Sequence, residues 1–330
     1  MNWSGKKVLV TGAGGFIGSH LAEALTTAGA SVRAMVHYNG AGRQGWLDDS
    51  PQQSEMEIIS GDITDRSFVH SAMSDCEVVF HLAALIAIPY SYVAPSSYVQ
   101  TNIVGTLNVL EAARILGTER VVHTSTSEVY GTAITVPIAE THPLQGQSPY
   151  SASKIGADKL VESYFCSFET PVVTVRPFNT FGPRQSARAV LPTIITQCLQ
   201  PNVHSIKLGS LTPTRDLNYV ANTVNGFMTA GHHPNVIGRT LNFGSGREIS
   251  VGDLANTIAR LVGREDIQVE CDEQRMRPGR SEVERLLADN SLARSLTGWE
   301  PAVSLEDGLS RTIEWFRKNL SGYRHDVYNV

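Results

Sequence analysis

Short apolar runs alternate with amphipathic stretches along the first half of the chain. Segments 7–10, 31–36, 56–59, 78–84, 121–125 and 172–176 read as buried strands. Between them, 19–25 carries apolar residues at helical spacing, and 96–117 and 148–168 sustain that spacing over long stretches. Segment 40–53, glycine-rich and polar, reads as a long loop. Such alternation predicts an α/β fold: a doubly wound parallel sheet with crossover helices on both faces.

After Pro177 the pattern loosens. Segment 178–188 is rich in Gly, Pro and Asn, 189–199 looks helical, and 205–208, 241–243 and 268–270 read as short strands. Segment 250–262 is a capped amphipathic helix with Asp253 in its first turn, and 304–320 is a closing helix. The stretch 271–286 is highly charged, with Arg275, Arg277, Arg280 and Arg285. No repeat or low-complexity linker divides the chain. The expected organisation is a domain of residues 1–178, to which a strand and helix near 216–245 return. A smaller C-terminal domain, mainly 179–330, is interleaved with it.

Composition changes this picture little. With 330 residues, 42% apolar and 18% charged, a large core is expected and disorder is not. A net charge of −5 argues against a general binder of nucleic acid or anionic membrane, while leaving room for local phosphate pockets. Cys76, Cys166, Cys198 and Cys271 are far apart with no paired spacing, which fits reduced thiols and no metal site. The chain shows no signal-peptide pattern and no apolar run of membrane-spanning length, so a cytoplasmic protein is expected.

Directly after the first strand comes Thr11-Gly12-Ala13-Gly14-Gly15-Phe16-Ile17-Gly18. Strand, glycine turn and helix make the first unit of a Rossmann-type dinucleotide-binding sheet. Glycines let the backbone approach a pyrophosphate, and the helix N-terminus favours the anion. Gly12, Gly15, Phe16, Ile17 and Gly18 are therefore candidate cofactor contacts. Where an acidic residue would grip the ribose of NAD, the chain has Val36-His37-Tyr38-Asn39, which makes His37 the candidate. Arg33 and Arg43 lie nearby, neither obviously placed for a 2′-phosphate, so NAD is the expected cofactor and NADP stays open. Asp62, followed by Ile63, ends the third strand, either accepting from an adenine amino group or capping the next helix. Leu82, Ala83 and Ala84 close the fourth strand with small residues that leave a cofactor room to pass, and Thr124 stands at the end of the fifth.

That fifth strand runs into Ser125-Thr126-Ser127-Glu128-Val129-Tyr130-Gly131. Ligands of open parallel sheets bind outside the carboxyl ends of the strands. Alone, the segment reads more readily as a polar junction with a solvated Glu than as an acid/base site. Pro149-Tyr150-Ser151-Ala152-Ser153-Lys154 then sets Tyr150 and Lys154 four residues apart on one helix face. A tyrosine ordinarily ionises near pH ~10. An ammonium one turn away, with a positive nicotinamide, stabilises its phenolate, which can take a proton from an alcohol as hydride leaves.

With these motifs the chain resembles the extended short-chain dehydrogenase/reductase family from Lys7 to about Trp315. Within it, the 125–131 segment looks like the active-site strand of the nucleotide-sugar 4,6-dehydratases. The runs 85–92, 143–150 and 209–216 are similar to the branch assigned to legionaminic acid biosynthesis. That resemblance implies NAD as cofactor and a nucleoside-diphosphate sugar, GDP-N-acetylglucosamine, as substrate. It implies roles for five residues. Tyr150, helped by Lys154, takes the C4 hydroxyl proton, Thr126 holds the C4 oxygen, and Glu128 removes the C5 proton before water leaves C6. Where the dTDP-glucose branch has an Asp as acid, this chain has Ser127, so Glu128 is expected to serve as base and then as acid. Asn179 matches the family's substrate-diphosphate asparagine. Arg184, Arg215 and Arg277 are candidates for charge-assisted bonds to the nucleotide, against the alternative of surface ion pairs. The resemblance also implies a homodimer, the helices over 96–117 and 148–168 forming a four-helix bundle with a partner's copies.

Three other readings compete. UDP-glucuronate decarboxylase shares the Thr-Ser-Glu strand but loses carbon dioxide and needs a cation for the sugar carboxylate. A 4-epimerase has no need of a carboxylate at Glu128. A non-catalytic NAD(P)-binding regulatory protein of this fold would have no reason to keep Thr126, Glu128, Tyr150 and Lys154 together.

Overall fold

The computed structural model describes residues 2–323, so 324–330 of the expected second domain lie outside the described residues. In chain order the first half contains β1 (Lys7–Thr11), α1 (Phe16–Thr27), β2 (Ser31–His37), β3 (Glu57–Gly61), α2 (Arg66–Met73), β4 (Val78–His81), α3 (Ile88–Val93), α4 (Pro95–Tyr98), α5 (Gly105–Leu116), β5 (Arg120–Thr124), α6 (Pro149–Phe168) and β6 (Val172–Pro177). Then follow β7 (Asn179–Phe181), α7 (Val190–Cys198), β8 (Ser205–Leu208), β9 (Thr214–Tyr219), α8 (Val220–His232), β10 (Thr240–Phe243), β11 (Glu248–Ser250), α9 (Val251–Val262), β12 (Gln268–Cys271), β13 (Arg285–Leu286), α10 (Ser291–Thr297) and α11 (Leu305–Asn319).

Seven parallel strands form the main sheet in the order β10-β6-β5-β4-β1-β2-β3. Successive residues of a strand face opposite sides, and both sides are apolar. Val8 and Val10 enter the core with Leu21, Leu25, Val224 and Phe227 of α1 and α8. Leu9 enters the other core with Val69, Val109, Leu110 and Val161 of α2, α5 and α6. This double cover is why the strands read as continuous apolar runs.

Strand order reverses between β1 and β4, which opens a crevice at their carboxyl ends. The glycine turn, 82–84 and 125–131 all leave the sheet on that edge. A smaller sheet lies beyond it. In that sheet β9 pairs with β7 (Asn179 opposite Leu217), β11 (Glu248 opposite Asp216) and β13 (Arg285 opposite Thr214). Directly after β9, α8 packs back under the main sheet, and β10 joins it as the edge strand.

Three expectations change in detail. β4 ends at His81, so Leu82–Ala84 lie beyond the strand. The Thr11 hydroxyl accepts from Leu82 N at 3.1 Å and Ala83 N at 3.0 Å and draws the chain off the ladder. The helix over 96–117 is not uniform, since α4 passes into a π-helical turn, Val99–Val104, before α5. That widened turn carries the inward-facing Asn102, 1% exposed. The 40–53 loop folds a 3-10 turn, Gly45–Asp49, over the glycine turn, with Trp46 N donating to Gly14 O at 3.0 Å.

Candidate active site

The glycine turn forms because Gly12 sits at φ +71°, a conformation other residues resist, with Ala83 N only 2.9 Å from where its Cβ would be. Gly15 is the N-cap of α1 and supplies no side-chain cap, so the first backbone N–H groups of Phe16, Ile17 and Gly18 stay available to an anion. Gln44 and Gly45 lie against Gly14 and wall the turn on its outer side. This is a cradle that fits a dinucleotide pyrophosphate.

Around it, His37 is exposed at the end of β2. Asp62 is not a helix cap. Asp65 caps α2, while Asp62 Oδ1 accepts from Thr64 N and Thr64 Oγ1, both at 2.8 Å. Those bonds, the Thr64 amide first, hold its carboxyl below the usual range despite partial burial. The side chain of Ile63 is buried in the α2–α5 core and packs on Gly105, so only its backbone can face a cofactor. Both arginines near β2 are engaged. Arg33 pairs with Glu57 at 2.8 Å and donates to the carbonyls of Ala72 and Ser74, and Arg43 pairs with Asp48 at 2.5 Å.

β5 delivers the reactive segment. Thr126 caps a short 3-10 turn, Ser127–Tyr130, its hydroxyl accepting from Glu128 N at 3.2 Å. Facing it is α6, begun by a reciprocal cap between Ser148 and Ser151, with Pro149 at the first helical position. One turn in, Tyr150 is 7% exposed and Lys154 4% exposed. Lys154 donates to the Thr124 carbonyl at 2.5 Å. Burial pushes the Lys154 ammonium down to about 8, with Asp158 pulling the other way. Burial drives the Tyr150 phenol well above its ordinary value. A bond from the Thr126 hydroxyl opposes the rise, and the Glu128, Tyr98 and Asp158 side chains add to it. Tyr98 stands edge-on to Tyr150, with ring centres 6.2 Å apart. Ser127 is a buried hydroxyl.

Two arginines from the second half reach this strand end. Arg277, in the charged loop before β13, places Nη1 4.0 Å from Glu128 and 3.8 Å from Glu282. Arg215, on β9, donates to Glu282 at 3.2 Å, and Glu128 lies close enough to stabilise its charge against burial. Asn179, at the start of β7, has its Oδ1 buried without a hydrogen-bond partner. Arg184 is elsewhere. It pairs with Glu23 of α1 at 2.9 and 3.0 Å and donates to Ser19 at 3.1 Å, the ion-pair arrangement weighed for it against a nucleotide contact.

Sequence reasoning missed the polar layer beneath the site. The Asn102 side chain accepts from Leu85 N at 2.9 Å and donates to Leu85 O at 3.0 Å and Ser153 Oγ at 2.9 Å, tying the π turn to α6. Asp158, buried under Lys154, takes bonds from His123, Ser125 and Arg176. Its signal was available, because it continues the four-residue spacing of Tyr150 and Lys154.

Residues 9–312 match the GDP-mannose 4,6 dehydratase family. The chain is 34% identical over 316 residues to the UDP-glucose 4-epimerase of Mycolicibacterium smegmatis, covering 94% of this chain and 98% of the relative. It is 31% identical to UDP-glucuronic acid decarboxylase 1 of Xenopus tropicalis, covering 98% and 75%. The dTDP-glucose 4,6-dehydratase DesIV of Streptomyces venezuelae, solved with NAD and TYD bound, superposes with a TM-score of 0.85 at 27% identity, covering 96% and 98%. With its glycine turn, seven-strand sheet and nearly full-length match, the chain belongs to the GDP-mannose 4,6-dehydratase family.

Proposed function

We propose that this chain is a nucleotide-sugar 4,6-dehydratase that works with NAD, on GDP-N-acetylglucosamine or a closely related nucleoside-diphosphate hexose. The observation that carries the reading is Glu128, a mostly buried carboxylate at the same strand end as Thr126 and electrostatically coupled to Tyr150. Oxidation or epimerisation at C4 needs the tyrosine and lysine alone, whereas elimination across C5–C6 needs a second base. The anchoring of Arg33 to Glu57 and two carbonyls, and the pairing of Arg43 Nε with Asp48, support NAD over NADP. The sugar and nucleobase rest on the resemblance of 85–92, 143–150 and 209–216.

When bound, NAD supplies the hydride acceptor at C4 and the donor that returns the hydride to C6. Tyr150, its phenolate stabilised by Lys154, takes the C4 hydroxyl proton, while Thr126 donates to the C4 oxygen. The C4 ketone acidifies C5, and Glu128 removes that proton. With no carboxylate at Ser127, the protonated Glu128 then gives its proton to the departing C6 hydroxyl, and water leaves. Return of hydride to C6 leaves C5 to be protonated; Tyr150 releases the C4 hydroxyl proton to solvent, and a solvent proton reaches C5 through Glu128. Arg215, Arg277 and Asn179 hold the diphosphate.

Decarboxylation of a nucleoside-diphosphate uronic acid is the second reading. It is favoured by Arg277, whose Nη1 is buried without a hydrogen bond and is placed to receive a sugar carboxylate. Incubation with GDP-, UDP- and dTDP-hexoses and with UDP-glucuronate separates the two. The dehydratase reading predicts a product lighter by one water, with no stoichiometric consumption of NAD. Loss of carbon dioxide, or conversion at constant mass, would overturn it.

A further inference from the structure

We propose that Asp158 is a positioning residue of the reaction, a buried carboxylate that locks the end of β5 onto α6 and acts on Tyr150 through Lys154. The inference rests on the Tyr150–Lys154 oxidation at C4 and not on the step that follows.

Asp158 is 5% exposed, and both of its oxygens are used. Oδ1 accepts from His123 Nε2 at 3.1 Å, and Oδ2 accepts from Ser125 Oγ at 2.8 Å and from Arg176 Nη2 and Nε at 2.9 and 3.2 Å. His123 and Ser125 flank Thr124, whose carbonyl receives Lys154. A single carboxylate on α6 therefore grips the strand on both sides of the carbonyl that orients Lys154, two residues before Thr126. His123 is fully buried, and its Nδ1 has no partner. An unbonded nitrogen there is tolerable as a lone pair and costly as an N–H, so the ring is neutral and donates through Nε2.

Charge links Asp158 to the pair through Lys154: Asp158 supports the ammonium, an effect opposite in sign to its direct repulsion of a Tyr150 phenolate. Burial and nearby groups compete at Asp158. Burial raises its carboxyl, but the His123 bond, the Arg176 charge and the Ser125 bond outweigh it and hold it at about 2, an anion throughout the working range. Lys154 lies one turn away on the same helix face. The groups facing Lys154 and its tyrosine are Tyr150 and Asp158 on α6, neutral His123 on β5, neutral His81 on β4, Arg176 on β6, Glu128 after β5 and Tyr98 on α4. Asp158 is the anion that stabilises the ammonium, and Arg176 balances Asp158. Arg176 in turn donates to Tyr130 Oη at 2.9 Å and lies 4.9 Å from the centre of that ring, which anchors the far end of the reactive segment to the same ion pair.

The test reads Lys154 directly. Protein carrying ¹³Cε-lysine is titrated by NMR without cofactor, the Lys154 signal being assigned by its loss in Lys154→Arg. In Asp158→Asn the titration is expected to fall by about one pH unit or more. The alkaline limb of kcat/KM, measured with whichever nucleotide sugar turns over, is expected to move with it. Asp158→Glu keeps the charge, and its Lys154 should titrate as in the wild type even where displacement of the strand lowers kcat. This second variant carries the test if the amide does not fold. A folded Asp158→Asn with an unmoved Lys154 titration would overturn the proposal, as would an Asp158→Glu displaced as far as the amide is expected to be. The NMR readout needs no substrate, so it stands apart from any error in the proposed reaction.

Discussion

Arg277 Nη1 stands 4.0 Å from Glu128 Oε2, within ion-pair range and too far to occupy the carboxylate's lone pairs with a hydrogen bond. A carboxylate left without a direct hydrogen bond from its guanidinium neighbour is free to take a proton. Glu128→Gln keeps the shape and removes the basicity. It is expected to oxidise C4 still, seen as reduced-nicotinamide absorbance that builds up and does not return. Exchange of the C5 proton with deuterated water should vanish, and release of the dehydrated sugar should fall by roughly 10²–10⁴. Normal turnover in this variant would remove Glu128 from the mechanism.

Ser127 bears on the second proton. Its hydroxyl is buried beside Glu128, but a serine is no acid near neutral pH. If Glu128 handles both protons, Ser127→Ala should lose less than about tenfold in kcat, well short of the roughly 10²–10⁴ that a general acid supplies. A larger loss, recovered in Ser127→Asp, would assign the C6 proton to position 127 instead.

The pH dependence follows from Lys154. Burial lowers this cation to about 8, so the ammonium predominates below that pH and is lost as pH rises through it. Tyr150 needs the positive charge beside it, so kcat/KM should fall along an alkaline limb near pH 8. Lys154→Arg carries a charge that does not titrate in this range. It should lower kcat and abolish the limb, and a limb that persists in this variant would assign the titration to another group.

The fold was legible because its strands are buried on both faces, as Val8, Leu9 and Val10 show by entering two different cores. The Tyr150–Lys154 pair was legible because helical spacing is local. What escaped depends on contacts between distant segments. Thr11 ends β4 early through a side-chain bond, and no property of Leu82 or Ala83 announces it. Asp158 meets Arg176 and His123 only when α6, β5 and β6 come together. The short strand β9 lacks a periodic apolar run because the charged and polar residues Arg215, Asp216 and Asn218 are buried there. Burial paid for by hydrogen bonds leaves no hydrophobic pattern to read.

Arg184 and Arg277 look alike in the sequence, and the structure separates them. Arg184 makes two bonds to Glu23 and one to Ser19, with both ionic side chains mostly buried, at 15% and 17% exposure. Arg184→Ala leaves Glu23 without its partner at the surface of α1, and should cost about 2 kcal/mol of stability while leaving KM unchanged. Arg277 has a nitrogen without any hydrogen bond and only long ion pairs to Glu128 and Glu282. Arg277→Ala should cost little stability and raise KM for the nucleotide sugar by roughly 10–100-fold, the worth of one charge-assisted contact. Urea unfolding and steady-state kinetics on the two variants give the four numbers. A KM effect confined to Arg184→Ala would return that residue to the diphosphate and remove Arg277 from it.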